Sequence, residues 1–340
     1  MTTPNWNQFV FVDDPRLGQA VTLLSPALTI NFFLGWVDAE AVTQLYEEAL
    51  KLIQPGLTHY IAENMKRPAK ISSKALGMIP AWMKKPREDY GYYWNAYGGS
   101  DLGCAPPGLE SFIVYYPRPP DDTKMLRELR AAKQMSGPGG EIAGYHVSSS
   151  LRLMLPVDHP LGEAEALSAW LRSLDLLRKG AFQSVECSYG LSQWGHLSAE
   201  AEMREQAFCS RYPGLDAYGP WQGGQIRVDL TYPDFIPLVK RAAWTNVLHH
   251  LTVRALGGEQ AIREQLADTP EIRIVPFEHG LILQAGERPE LGDLNRGDTL
   301  PLLRKLARVL RPVRVELLVE VKGTNPFWDH FFNIFDKDYQ

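Results

Sequence analysis

Residues 279–316, HGLILQAGERPELGDLNRGDTLPLLRKLARVLRPVRVE, carry the clearest structural signal in the chain. The apolar run HGLILQAG predicts a strand, and the run IRIVPF just before it predicts its partner. Gly286, Pro289 and Gly292 then predict a turn, because glycine permits backbone geometry that side chains forbid and proline fixes its own φ. An apolar-periodic stretch around 300–310 predicts a helix. A strand pair, a turn and a helix in this order indicate helices packed against a sheet.

The turn also contains two opposite charges. Asp293 and Arg296 lie three residues apart, a spacing that allows them to pair or to cap the following helix. We therefore interpret Gly286, Pro289, Gly292, Asp293 and Arg296 as structural residues. Direct contact of this motif with a binding partner is the alternative.

Strand-like and helix-like patterns alternate irregularly through the rest of the chain. Further strands are predicted at 28–34, 111–116, 144–156 and 313–321. Helices are predicted at about 38–54, 121–135, 161–179, 238–256 and 258–267. This pattern favours an α+β (or irregular α/β) fold, a mixed sheet with packed helices, in one large or two intimate domains. We divide the chain into an N-terminal α/β part (1–156), a C-terminal part with the motifs (157–325) and an aromatic C-terminal helix (326–340).

Charge, cysteine content and hydropathy exclude several classes of protein. The 340 residues include 35 bases and 40 acids, and a net charge of −5 argues against a globally basic nucleic-acid binder. Cys104, Cys187 and Cys209 are too few for a disulfide framework or a four-cysteine zinc site. The N-terminus lacks a signal-peptide pattern, and polar residues and proline interrupt the longest apolar run (21–37). We expect a cytoplasmic protein without a membrane span.

Residues suited to acid–base or metal chemistry are few. The dinucleotide-binding, Walker A, HExxH and GxSxG motifs are missing from the sequence. His249, His250 and His279 could join Asp293 or Asp298 in a metal or acid–base site, and a hydrolase using His279 and Asp293 is the enzymatic alternative. Adjacent helical histidines point about 100° apart, so we expect one of His249 and His250 in the core and the other at the surface. We predict no catalytic residue, no metal and no cofactor.

A basic segment is followed by an aromatic one. Residues 66–87 carry seven bases and no acid, and YGYYWNAYGG follows at 90–99. Together with Trp82 they allow three interpretations: a nucleic-acid-binding module, a protein-binding surface, or a solvated basic face. The solvated face is the simplest of the three.

The C-terminal segment NPFWDHFFNIFDKDYQ predicts a helix with an asparagine N-cap and Pro326 at its first position. Phe327, Phe331 and Phe335 fall on one face, which predicts docking on the core. A helix that presents its aromatic and acidic residues to a partner is the alternative.

Five short elements occur in a characteristic order: RYPGLD (211–216), WTNVL (244–248), Gly257-Gly258, QAGERPELGDLNR (284–296) and PVR (312–314). In this order and spacing the chain resembles the TsiV-like type VI secretion immunity family. The strand and helix predicted within 28–54 also fit, so the resemblance spans most of the chain.

The resemblance implies a binding protein without chemistry of its own. Its partner would be a cognate type VI secretion effector toxin, a nuclease of the VRR-Nuc class that cuts DNA with metal-binding carboxylates. The simplest inhibition is to occlude the active site of this effector or the path of its DNA. Direct nucleic-acid binding is not expected.

Two clusters are predicted to bind the effector. Tyrosine and tryptophan supply large contact areas at low entropic cost, and carboxylates can imitate phosphates. The aromatic cluster, in a loop, is Tyr92, Tyr93, Trp94 and Tyr97. The acidic cluster is Asp329, Asp336 and Asp338.

Overall fold

The chain is built around one large β-sheet. The computed structural model describes residues 5–14, 19–34, 37–63, 65–85, 91–100, 103–114, 149–193, 199–217, 237–314 and 326–336. The strands in these residues are β1 (Phe11–Asp14), β2 (Gln19–Leu34), β3 (His59–Ala62), β4 (Ala69–Lys70), β5 (Gly91–Ser100), β6 (Gly103–Val114), β7 (Ser149–Leu155), β8 (Ser184–Gln193), β9 (Leu215–Asp216), β10 (Thr245–His249), β11 (Ile272–Phe277) and β12 (Gly280–Ala285). The helices are α1 (Ala39–Ile53), α2 (Ser73–Leu76), α3 (Met78–Lys84), α4 (Ala164–Ser173), α5 (Asp175–Arg178), α6 (Ala199–Arg211), α7 (His250–Ala255), α8 (Gly258–Leu266), α9 (Pro301–Leu310) and α10 (Pro326–Asn333).

The described strands follow the order β11-β12-β10-β8-β2-β7-β6-β5-β3-β4, with β1 paired to β2 and β9 paired to β8. Neighbouring strands are antiparallel, except that β9 runs parallel to β8. An antiparallel sheet with helices packed on it confirms the predicted α+β class.

Strand β2 is the centre of the sheet. It pairs with β7 through residues 28–34 and with β8 through residues 24–33. The segment 28–34, which the sequence predicts as a strand, is its fully buried end. One sheet therefore runs through both predicted parts, 1–156 and 157–325, and the division between them stays a prediction.

Helix α1 covers one face of the sheet at β5. Asp38 caps it, its side chain accepting a hydrogen bond of 2.8 Å from a backbone N–H in the first turn. Tyr46 packs edge-on against Trp94, with ring centroids 5.5 Å apart. The Tyr46 hydroxyl also donates to the Leu76 carbonyl at 2.9 Å, which ties α1 to α2. The helix predicted at 38–54 is thus confirmed.

The hairpin and the helix predicted from residues 279–316 and the run before them are confirmed, and the structure describes this segment as far as Arg314. β11 and β12 form the predicted antiparallel hairpin, and α9 buries an apolar face that includes Leu303, Leu306 and Leu310. The rest of the strand predicted at 313–321, and the helix predicted at 121–135, lie outside the described residues.

The helix predicted over 238–256 is wrong in its first half. Residues 245–249 form strand β10, and only residues 250–255 are helical. β10 lies between β8 and β12, and all five of its residues are buried. Only Val247 and Leu248 of these five residues are apolar, and periodicity cannot distinguish a strand from a helix over so short an apolar run.

The helix predicted over 161–179 consists of two pieces. Leu174 has extended backbone with ψ of 133°, which separates α4 from α5. Its side chain is fully buried, as are those of Leu171 and Leu177 on either side. The predicted apolar stripe is therefore correct, although the helix that carries it is broken.

The aromatic C-terminal helix docks on the core. Phe331 and Phe335 are buried, and Phe327 is half-buried against the same cluster. This confirms the predicted packing, while the proposed N-cap at residue 325 lies outside the described chain. Among the helices of the described ranges, none combines the length and apolarity that a bilayer crossing requires.

The close approach of β12 to β10 gives a stability prediction. A Cβ at Gly280 would lie 1.8 Å from the carbonyl oxygen of Leu248. Since backbone has to move, Gly280→Ala should lower the free energy of unfolding by about 3 kcal/mol, the upper end of typical overpacking costs. Gly162→Ala is the matched control, because its Cβ would meet only Leu28 Cδ2, at 3.9 Å. Equal stabilities of the two variants in urea unfolding would contradict this packing.

Candidate functional site

Two of the sequence motifs are joined by a salt bridge. Arg211 ends α6, and Asp293 caps the 3-10 turn Leu294–Arg296. Arg211 Nε lies 2.9 Å from Asp293 Oδ1, and Nη2 lies 2.8 Å from Oδ2, a bidentate geometry. The hydrogen bonds from Arg211 hold the pKa of Asp293 below its usual value. We call this salt bridge the latch.

Further hydrogen bonds join the segments around the latch. The N–H of Gly214 donates to the Leu291 carbonyl at 2.7 Å, and a Cβ at Gly214 would lie 1.8 Å from the Glu290 oxygen. Trp244 Nε1 donates to the Gly286 carbonyl at 3.0 Å. The motifs RYPGLD, WTNVL and QAGERPELGDLNR therefore contact one another and form one scaffold.

The residues interpreted as structural have the expected geometry in part. Gly286 and Gly292 have φ of +84° and +61°, the left-handed region that favours glycine, and Pro289 is buried in the turn between them. Asp293 accepts a hydrogen bond of 3.0 Å from the Asn295 N–H, so it caps a short 3-10 turn rather than α9. Arg296 Nε stays 3.7 Å from Asp293 Oδ2, farther than Arg211.

A row of polar residues crosses the sheet. Six successive strands each contribute one residue, and each residue is the register partner of the next. They are Asn95 of β5, Glu110 of β6, Arg152 of β7, Asn31 of β2, Glu186 of β8 and Asn246 of β10. All six are buried. The next row is mostly apolar: Ala96, Leu109, Leu153, Ile30 and Cys187. Because paired residues share a face and neighbours alternate, one face of the sheet is polar along this row and the other is apolar.

A buried ion pair lies beside the polar row. Lys240 Nζ is 2.5 Å from Asp216 Oδ1, and the two side chains are 0% and 5% exposed. Asn31 Nδ2 donates to Asp216 Oδ2 at 3.0 Å, and Glu186 accepts the backbone N–H of Lys240 at 2.7 Å. We call Lys240, Asp216 and Glu186 the buried charge cluster.

The two carboxyls of the cluster differ in pKa. Burial raises the pKa of Glu186 to about 7, an effect that Lys240 opposes and Asp216 reinforces. Burial also acts to raise the pKa of Asp216, but the charges of Lys240, Arg152 and Arg241 outweigh it, so the pKa is lowered. Asp216 is therefore the permanent anion, and Glu186 titrates near neutrality.

Arg241 connects the cluster region to the C-terminal helix. Its Nη2 donates to the carbonyls of Pro213 and Leu215, each at 2.8 Å. Its guanidinium lies 4.0 Å from the ring centroid of Phe331 and 5.3 Å from that of Phe335. All of these groups are buried or bonded to one another, so their arrangement holds segments together.

The sequence contained a weak signal for this cluster. Asn31 interrupts the apolar run LTINFFL, and Asp216 ends the motif RYPGLD. Polar residues inside apolar strands are expected to have buried partners. That the partner of Asp216 is Lys240 is visible only in the folded structure.

The three histidines lie at the end of β10, at the start of α7 and in the turn between β11 and β12. His249 is buried and its Nδ1 accepts the Leu251 N–H at 3.3 Å, whereas His250 is exposed, which confirms the predicted split. Their ring centroids are 4.1 Å apart, and His279 lies 6.3 Å from His250. Asp293 is bound by Arg211 instead. Within the described ranges, no three metal-binding side chains converge.

The aromatic segment predicted as a loop is strand β5. Tyr92 stacks on Trp82 with centroids 5.0 Å apart, and Tyr97 stacks on His59 at 6.2 Å. The prediction of a loop is wrong because aromatic residues favour buried strands as well as recognition loops.

Three of the four predicted aromatic anchors are buried in β5. Tyr92, Trp94 and Tyr97 are at most 4% exposed, so their side chains serve the core and present little surface to a partner. Tyr93 is half-buried, and burial together with the charge of Glu110 raises the pKa of its hydroxyl.

Asp336 of the predicted acidic cluster is paired inside the protein. Its Oδ2 accepts a hydrogen bond of 2.7 Å from Arg314 Nη2, and its side chain is only 15% exposed. A carboxylate already paired inside the protein is a poor phosphate mimic. Asp338 and the side chain of Asp329 lie outside the described structure.

The basic segment is exposed. Six of its seven bases lie in the described chain and are solvent-exposed, on β4, α2, α3 and the adjoining turns. We call them the basic surface: Lys66, Arg67, Lys70, Lys74, Lys84 and Lys85. Arg87 lies outside the described residues.

Comparison with known proteins adds two likenesses. The family described as TsiV, type VI immunity for VRR-NUC, matches residues 141–333, more than half of the chain. A Pseudomonas aeruginosa protein described as T6SS protein PA0821 has a similar fold, with a TM-score of 0.66 at 15% identity over 96% of this chain and 87% of that one. Among curated proteins, none matches.

The buried ion pair gives a second stability prediction. Asp216→Asn leaves the Lys240 ammonium buried without its counter-charge and should cost about 3–5 kcal/mol of unfolding free energy. Glu48→Gln is the control, because its partner Lys51 is 68% exposed and such pairs contribute at most ~1 kcal/mol. An Asp216→Asn variant as stable as the control variant would contradict the pairing.

The raised pKa of Glu186 predicts a pH effect. The folded pKa of about 7 exceeds the ordinary value of 4.5, so the contribution of this group to stability is complete below 4.5 and is lost as the pH rises through 7. The wild type should therefore lose about 3 kcal/mol over this range relative to Glu186→Gln, which has the same shape but does not titrate. Parallel pH profiles of the two proteins in urea unfolding would count against it.

Proposed function

This chain belongs to the TsiV family of type VI immunity proteins, and on that premise we propose that it binds and neutralises a cognate VRR-Nuc-type effector by covering the effector's active site or its DNA path. The observation that carries the proposal is the family match over residues 141–333. The motifs inside that range contact one another through the latch and the Trp244–Gly286 hydrogen bond, so the matched region is a coherent part of the fold.

The contacts of the described polar residues support inhibition by covering the effector, without chemistry by this chain. Asp293 is occupied by Arg211, His249 by a backbone N–H, and Asp216 by Lys240. These groups stabilise this chain and are not arranged around a substrate. A stoichiometric inhibitor needs surface complementarity and no turnover, and we expect an interface of roughly 1,200–2,000 Å² or more.

The place of action follows from the partner. A nuclease that cuts DNA has to be blocked where the DNA is, so we propose that binding takes place in the cytoplasm. The enzymatic alternative would need His279 and Asp293 to act together. Their contacts favour separate structural roles, because His279 lies near His250 and Asp293 is held by the latch.

Co-expression tests the proposal. The chain should restore growth to cells that express the VRR-Nuc effector encoded beside its gene, and the two proteins should co-purify as a stoichiometric complex that no longer cuts DNA. His250→Ala and His279→Ala should protect like the wild type. Binding is measured by gel filtration with light scattering, and nuclease activity on plasmid DNA.

Two results would overturn the proposal. The first is full protection by a chain that forms no complex with the effector. The second is loss of protection in a folded His279→Ala variant that still binds, which would show chemistry by this side chain.

A further inference from the structure

Resting on the proposed function, we infer that the basic surface is a docking surface for an acidic face of the effector. The surface comprises Lys66, Arg67, Lys70, Lys74, Lys84 and Lys85. It lies outside residues 141–333, in the part of the chain that the family match does not cover. A surface that distinguishes one cognate partner from others is expected away from the shared scaffold.

The six cations are unpaired. All are solvent-exposed, and the sequence between residues 65 and 87 contains no acid that could neutralise them. In the part of the chain that the structure describes, none of the six forms an ion pair or a side-chain hydrogen bond. They thus concentrate positive charge in a protein whose net charge is −5.

Many other cations of the described chain behave differently, because they have carboxylate partners. Examples are Lys51 with Glu48, Lys179 with Glu40, Arg263 with Glu259, Lys305 with Asp268, and Arg211 with Asp293. Unpaired like charges that lie within a Debye length, ~8–10 Å, repel one another. An anionic partner would relieve this repulsion.

A well-anchored scaffold presents these charges. Ala75, Ile79 and Met83 of α2 and α3 are buried, and Ser72 caps α2 by accepting the Ala75 N–H at 3.2 Å. The Tyr46 hydroxyl fixes the end of α2 from α1. The surface is therefore pre-organised, which lowers the entropic cost of binding.

The observations favour a protein partner over a nucleic acid. Single-stranded nucleic acid is usually held by aromatic rings that stack on its bases. Here Trp82 stacks on Tyr92 at 5.0 Å, and Tyr92 and Trp94 are buried, so these rings are engaged inside the protein. The net charge of −5 also opposes the long-range attraction of DNA. An acidic patch on a folded protein meets the basic surface without either difficulty.

A charge-reversal experiment tests the inference. The double variant Lys74→Glu/Lys84→Glu should weaken binding to the nuclease domain of the adjacent-gene effector at least tenfold at low ionic strength. Most of the loss should be in the association rate and should shrink at high salt, as expected for electrostatic steering. The matched control is Arg172→Glu/Arg311→Glu, which reverses two exposed, unpaired cations on other elements and should change affinity less than threefold.

Both double variants should melt at the same temperature as the wild type, which shows that they are folded. Binding is measured by surface-plasmon resonance at two ionic strengths. Equal affinities of the two double variants, with tight wild-type binding, would overturn the basic surface and leave the proposed function standing. Failure of the wild type to bind would overturn both. Salt-dependent binding of a DNA duplex by the wild type, abolished by Lys74→Glu/Lys84→Glu while effector binding persists, would assign the surface to nucleic acid instead.

Discussion

A lysine ammonium and an aspartate carboxylate, both shut away from water, constrain the middle of this protein. Removing two charges from solvent is costly unless they meet in good geometry with further hydrogen bonds. The ion pair of Lys240 with Asp216 and the hydrogen bond from Asn31 to Asp216 form only when β9, the segment before β10 and β2 are all in place. Glu186 accepts a hydrogen bond from the backbone N–H of Lys240. The cluster therefore stabilises one arrangement of several segments and penalises others.

What the sequence could predict follows from the range of each interaction. The helix that begins near Asp38, the hairpin β11–β12 and helix α9 depend on neighbours within a few residues, and the sequence predicts all three. Strand β10 was not predicted, because its apolar run, Val247 and Leu248, is too short for periodicity to distinguish a strand from a helix. The bridge from Arg211 to Asp293 spans 82 residues of sequence, so composition and periodicity carry no trace of it. The prediction of a loop for the tyrosines of β5 was wrong for a related reason. Aromatic residues are common in both interfaces and strands, and only the pairing with neighbouring strands distinguishes the two.

The shared scaffold and the proposed docking surface occupy different parts of the chain. The elements that make the family recognisable are bonded to one another through Arg211, Trp244 and Gly286, and they maintain the fold. The basic surface stands on α2, α3 and β4, at the other end of the sheet order from β12. A fixed scaffold with a separate charged face allows the partner-facing residues to change without disturbing the contacts of the core.

The two ends of the sheet also bear on how the protein behaves in a crowded solution. An open sheet can grow by adding strands from other copies, and natural sheets prevent this with very short edge strands, lysine or proline. At one end β4 is two residues long and carries Lys70, and at the other β11 carries an exposed Pro276, which has no N–H to donate. Among the described strands, both edges are therefore poor templates for edge-to-edge aggregation. Lysine at the β4 edge would protect colloidal stability while the protein accumulates, before any partner arrives.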